Sequence, residues 1–220
     1  MKMLKLIGID NPIVLNSGDI INICIENIDL YFKIVNSFIN VDNENIVYSE
    51  DYVIKSFDKY SIVITDAFNV DINNKKILSA LYKTIDKNKN NIGIKERIDE
   101  VNYKILNILD DISLDMNCEM DYVDELDLCK LLNLYNFSFI NDNSVSLCER
   151  LVRYIKANTE ISNISFVIFC DIIKFLNDKE KEMVKKEMSY LGISIINISY
   201  NNSNRNYEKI IVIDDDLCEF

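Results

Sequence analysis

Residues 164–199, ISFVIFCDIIKFLNDKEKEMVKKEMSYLGISIINIS, decide the fold. The runs 164–170 and 193–198 are short, apolar and rich in β-branched and aromatic side chains, the composition of strands. Between them, Asn177 and Glu180 stand at the spacing of a capping box that opens a helix. Val184, Met188 and Leu191 then fall on one helical face, and Gly192 follows where a helix end wants a residue tolerant of positive φ. Strand, capped helix, glycine and strand make a βαβ unit. Neither strand alternates apolar with polar residues, so both faces are expected to be covered, as in a parallel sheet. The runs 62–65 and 210–213 have the same character and are expected to join it.

The totals narrow the chemistry. A chain of 220 residues, 49% hydrophobic and 27% charged with one proline and four glycines, is an ordered chain with one sound core and room for an appendage. No window approaches the roughly 18 apolar residues of a membrane span, and no signal-peptide pattern opens the chain, so a cytoplasmic protein is expected. The six cysteines contain no C-x-x-C spacing, and several sit on apolar faces as small hydrophobes, so structural rather than redox or metal thiols are expected. Histidine is absent, which removes His-based general base catalysis, His-activated nucleophiles and His-ligated zinc. A net charge of −12 argues against a surface that coats DNA everywhere, but not against a local basic groove.

Along the chain, 3–9, 13–15 and 20–25 read as short strands separated by turns, an amino-terminal β-meander or small antiparallel addition. Leu30, Ile34 and Phe38 mark a helix, and strands follow near 46–48 and 61–66. From residue 73 the period becomes helical. Ile77, Leu78, Leu81 and Ile85 line one helix, which ends in the Asn-rich turn 88–93. Ile98, Val101, Ile105, Ile108, Leu109 and Ile112 line one face of the next, which is long, and two more helices are expected near 124–134 and 145–157. The expected fold is therefore α/β, with a mostly parallel sheet forming a head from 1–72 and 161–220 and an inserted α-helical lobe at 73–160.

Three features carry candidate chemistry. Three apolar strands end in acid, at Asp66, Asp171 and Asp214–Asp216, at the ligand edge of an α/β sheet. They look like metal-positioning Walker B strands, but G-x-x-x-x-G-K-[ST] is absent, so strand-ending and capping roles are favoured. A second cluster, Glu119, Asp121, Asp124 and Glu125, lies between two helices. Several carboxylates without His or Cys suit a hard cation such as calcium, and Asp124 or Glu125 equally suit the first turn of a helix. The third is a charge asymmetry. Lys75, Lys76, Lys83, Lys87, Lys89, Lys95 and Arg97 face only Asp86 and Glu96, a net of +5, and Arg150, Arg153 and Lys156 share one side of the 145–157 helix. Cations gathered this way in an acidic chain suit nucleic-acid backbone, against the plain alternative of a solvated helical surface.

The order of these features resembles the Csn-two family, the small adaptation protein of type II-A CRISPR systems. The matching pieces are the opening Ile9-Asp-Asn-Pro-Ile-Val-Leu15, the segment Val63-Ile-Thr-Asp66 through Leu78, the late βαβ from Phe166 to Ser199, and Ile213-Asp-Asp-Asp216. The resemblance implies a head similar to P-loop ATPases without a working nucleotide site. It further implies a helical leg and a homotetramer ring that takes double-stranded DNA, preferably at ends, through a lysine-lined hole. It implies calcium bound near the head–leg hinge, with Asp124 and Glu125 the best match and Glu119 and Asp121 as neighbours. Expected partners are DNA and the other CRISPR adaptation proteins, namely the spacer integrase and the RNA-guided effector nuclease, with no membrane. The reading is of a non-enzymatic DNA-binding protein acting in spacer acquisition. Its rivals are a nucleotide-dependent P-loop-like switch, a carboxylate–metal nuclease, and a pure scaffold.

Overall fold

The apolar runs and helical periods become nine strands and six helices in the computed structural model, which describes residues 1–91, 93–140, 144–201 and 209–219. In chain order these are β1 (Lys2–Leu6), β2 (Ile13–Leu15), β3 (Ile20–Ile25), α1 (Ile28–Ile39), β4 (Ile46–Glu50), β5 (Val53–Lys55), β6 (Ser61–Ile64), α2 (Lys75–Asn88), α3 (Lys95–Leu114), α4 (Leu128–Leu134), α5 (Leu147–Ile161), β7 (Phe166–Cys170), α6 (Asp178–Leu191), β8 (Ser194–Tyr200) and β9 (Lys209–Ile213). The chain divides into two compact units: Met1–Ile72 together with Asp142–Phe220, and Asn73–Asn141.

The first unit is mixed α/β. Its central sheet is parallel throughout, in the order β6-β7-β8-β3-β9, and a second, antiparallel sheet runs β2-β1-β4-β5. The βαβ unit of 164–199 is built as its residues dictate. Asn177 and Glu180 close a reciprocal capping box on α6, and Gly192 ends the helix at φ 71. Side chains alternate across β7. Phe166, Ile168 and Cys170 enter a core with β1, β2, β4 and α1, whereas Val167 and Phe169 enter one with α5 and α6. Both faces are therefore apolar, which is why the strand sequence shows no polar alternation.

Two sequence expectations need correction here. Residues 20–25 do not extend an amino-terminal meander; β3 lies inside the parallel sheet, between β8 and β9. The reason is its near-continuous burial, which suits a strand covered on both faces rather than one with a wet side. Its single polar residue, Asn22, accepts a hydrogen bond from Asn197 Nδ2 on the neighbouring β8 at 2.5 Å. Likewise, the helical segment does not run to 160. α5 belongs with the first unit, because Cys148, Leu151, Val152 and Ile155 pack into the core beneath β7 and α6.

The second unit holds α2, α3 and α4. Asn74 caps α2 by accepting from Ile77 N, and Asp127 caps α4 by accepting from Lys130 N, so that helix begins at Leu128 rather than near 124. Buried Ile77 and Tyr82 anchor α2, and Tyr82 Oη donates to the Phe137 carbonyl at 2.7 Å. The two ends of the unit meet at Asn73, whose side chain donates to Phe139 O at 2.9 Å and accepts from Phe139 N at 3.0 Å. The long helix with an apolar face is present as α3, and none of its side chains is buried. The Asn-rich turn 88–93 follows α2 as expected, apart from residue 92, which lies outside the described residues.

Candidate nucleic-acid interface

The α2 helix sorts its lysines by period. Lys76, Lys83 and Lys87 stand seven and four residues apart, within about 40° of one another around the axis, and span roughly 16 Å along it. All three are exposed, and none has a carboxylate within ion-pair distance among the described residues. Lys75 and Lys83 edge a groove of about 350 Å³ between α2 and α4, whose floor includes Tyr82, Cys129 and Asn133. Lys89 differs. It holds Asp86 at 3.0 Å, and this hydrogen bond, with the charges of Asp86, Glu125 and Asp99, keeps its ammonium above the usual lysine value. Lys95 and Arg97 sit exposed in the first turn of α3, which has no side-chain cap.

The α5 cations are engaged in their own unit. Arg153 pairs with Glu149 one turn earlier at 2.6 Å, and Lys156 pairs with Glu187 on α6 at 2.6 Å. Arg150 is half-buried, with its Nε shielded and without a partner. Of the ten candidate cations, those both exposed and without a carboxylate partner among the described residues lie on α2 and at the start of α3.

The acidic segment is open rather than caged. Glu119, Asp121, Asp124 and Glu125 are all exposed, and no group of three or more His, Cys, Asp or Glu side chains converges on a metal position among the described residues. The segment instead folds back beside α3: Asn102 Nδ2 donates to the Asp124 carbonyl at 2.9 Å, and Tyr122 Oη donates to Asp110. These four carboxylates, as placed within one chain, do not form the many-oxygen cage that calcium requires.

The strand-end acids have structural partners. Asp66 accepts from Phe68 N at 2.9 Å, Asp171 pairs with Lys174, and Asp214 accepts from Cys218 N at 2.8 Å. The phosphate position of a doubly wound sheet would lie after its first strand in chain order, where β3 leads into α1. There Asn27 places its own Oδ1 on Leu30 N at 3.0 Å, and Asp29 occupies the first turn. A helix start already capped by a side chain and flanked by Glu26 and Asp29 repels phosphate. Among the described residues, no helix is long and apolar enough to cross a membrane.

Fold and charge together define a mixed α/β protein with a parallel sheet and a separate helical unit that carries a lysine stripe. The family model described as CRISPR-associated protein (Cas_Csn2) matches residues 38–217, and the chain belongs to that family. The match runs from the end of α1 past β9, so it includes the whole helical unit and four of the five parallel strands. No curated protein sequence matches the chain.

Proposed function

We propose that the chain binds double-stranded DNA without sequence preference, as a homotetramer ring, in the acquisition of new spacers, and that it catalyses no reaction itself. The observation that carries this reading is the stripe of Lys76, Lys83 and Lys87, three unpaired cations on one helix face of a chain with net charge −12. Such a stripe meets phosphates at several points along a duplex and needs no contact with base edges. Membership of a CRISPR-associated family supports the setting. An acidic exterior around a basic bore reconciles the net charge with a polyanionic ligand and leaves an outer surface for the spacer integrase and the RNA-guided effector nuclease.

The sheet is read as similar to that of P-loop ATPases, with its nucleotide position lost. The capped, acidic start of α1 supports that loss, as does the absence of a phosphate loop from the sequence. A carboxylate–metal nuclease is disfavoured because the strand-end acids are taken up in caps and an ion pair. Calcium dependence follows from the family resemblance. Because the four acids do not converge within one chain, ion uptake is read as coupled to assembly.

The test is native mass together with competition between linear and covalently closed circular duplex of equal length. A ring threaded from ends gives a tetrameric mass and prefers the linear form. A monomeric mass, or equal affinity for both forms, overturns the ring. Specific binding of ATP with magnesium, seen by calorimetry, would move the assignment to a nucleotide switch.

A further inference from the structure

The helix α1 is apolar on both sides. Leu30, Ile34 and Phe38 turn inward and are buried, as a core-facing helix requires. Ile28, Phe32 and Ile39, four and seven residues apart, share the opposite face, within about 40° of one another around the axis. They are 52%, 66% and 52% exposed. A single exposed isoleucine is ordinary. Three large apolar side chains aligned on the outer face of one helix form a patch that the fold itself does not use.

Negative charge is gathered around the same face. The turn after β9 is tied to the start of α1, where Glu26 N donates to the Ile213 carbonyl at 2.8 Å and Asn27 Nδ2 donates to the Asp215 carbonyl at 3.2 Å. The segment Asp214–Asp216 therefore lies beside Glu26 and Asp29, and exposed Leu217 comes with it. Asp29 answers the helix dipole in the first turn, and Asp214 accepts from Cys218 N. None of the five carboxylates has a cation within ion-pair distance among the described residues. Lys33 is the one cation on α1, and Asp42 and Glu44 follow its last turn, so both ends of the apolar face are acidic.

These charges decide between occupants. Phosphate is repelled, so the face is not a DNA contact. A second copy of this chain, laid parallel or antiparallel, would set acids against acids with Lys33 alone to answer them. A basic protein segment satisfies both features at once, since apolar anchors at helical spacing meet Ile28, Phe32 and Ile39 while its cations meet the carboxylates. The anchors run for roughly 16 Å along the axis, a length that a partner helix follows without bending.

We propose that the outer face of α1 is the docking surface for a basic protein partner, which lays an amphipathic helix over Ile28, Phe32 and Ile39 with its lysines or arginines against Glu26, Asp29, Asp215 and Asp216. The surface is separate from the α2 stripe and serves whether or not the chain forms a ring.

The experiment measures fluorescence anisotropy of a labelled synthetic helix, leucine on one face and lysine on the rest, against the full chain. Wild type is expected to bind it about tenfold more tightly than a scrambled peptide of the same composition, and to ignore an analogue with glutamate in place of lysine. Phe32→Ser with Ile39→Ser and, separately, Asp215→Lys with Asp216→Lys are each expected to weaken binding about tenfold, the second chiefly at low salt. None of these residues belongs to a core, so the urea midpoint is expected to hold in both variants. Binding to both variants as to wild type, or no preference for the amphipathic peptide, overturns the docking surface. A fall in sedimentation mass in the Phe32 variant would make the face a contact between copies and overturn it too. A wild-type chain that is monomeric yet binds the peptide with these preferences overturns the ring and leaves the docking surface standing.

Discussion

Replacing Lys76, Lys83 and Lys87 together with glutamine removes the α2 stripe without touching the residues that hold the helix, since Ile77 and Tyr82 carry its burial. Each lysine that neutralises a phosphate contributes about 0.9 to the slope of log K against log salt on duplex DNA. Three contacts therefore make about 2.7 of that slope per engaged subunit. Between 50 and 200 mM salt, wild type is expected to lose roughly 40-fold more affinity than the variant through this face alone. Fluorescence anisotropy of a labelled duplex at several salt concentrations reads this directly. The matched control is Arg153→Gln with Lys156→Gln. These cations already pair with Glu149 and Glu187, so the slope is expected to hold within about 0.5. If the triple variant keeps the wild-type slope, the α2 stripe is a solvated surface and the DNA lies elsewhere.

Three further outcomes follow from named groups. Calcium added at fixed ionic strength is expected to raise both ring mass and DNA affinity in wild type but not in Asp124→Asn with Glu125→Gln; identical titrations would reduce these acids to capping and solubilising groups. Burial and the Asp171 carboxylate push the Cys170 thiol up to about 12, and burial with Glu180 and Glu149 pushes Cys148 to about 11. Their ordinary value is 9.0, so the stability they confer is complete below pH 9 and is lost above it as the unfolded chain alone ionises, by about 1.4 kcal/mol per pH unit for each thiol. Urea midpoints taken from pH 7 to 11 measure that fall, and a flat profile would contradict it. Asn197→Val strands both the Asn22 amide and the Ile173 N–H, which Asn197 Oδ1 accepts at 3.3 Å, and is expected to cost about 2–4 kcal/mol in urea unfolding. Adding Asn22→Val is expected to recover part of that cost, and a further loss instead would show that the amide pair is not the cause.

The legible parts of the chain were those encoded within a few residues. The capping box at Asn177 and Glu180, the left-handed Gly192 and the apolar run 166–170 each state their own geometry, and the structure repeats them. Strand order is different in kind. Nothing in residues 20–25 names β8 and β9 as neighbours, because parallel pairing joins segments far apart in sequence, although the lack of alternation already spoke against a half-exposed meander. The charges divide the same way. The pairing of Arg153 with Glu149 is a four-residue helical spacing, readable in advance, whereas Lys156 with Glu187 needs α6 folded beside α5. For α3, periodicity located an apolar face correctly, but periodicity cannot say whether that face meets its own chain. The acids at 119–125 stand out by their number, and a count of carboxylates does not make them converge.

The bridge at Asn73 bears on how the chain can be assembled and altered. Ser61 and Phe166 are register partners although about 100 residues separate them, and they cannot pair until that length of chain is closed. With Asn73 holding Phe139 at the base of the helical unit, that unit counts as a single knot, and only some 35 residues of open chain remain. The entropic difference is about 1 kcal/mol, since closure cost grows only with the logarithm of length. The sheet is therefore nearly indifferent to what lies beyond the bridge. Lengthening or trimming α2 and α3 by a turn moves their tips by about 5.4 Å and leaves the open loop unchanged. The reach of the helices is a dimension that selection or engineering can tune while the sheet stays as it is.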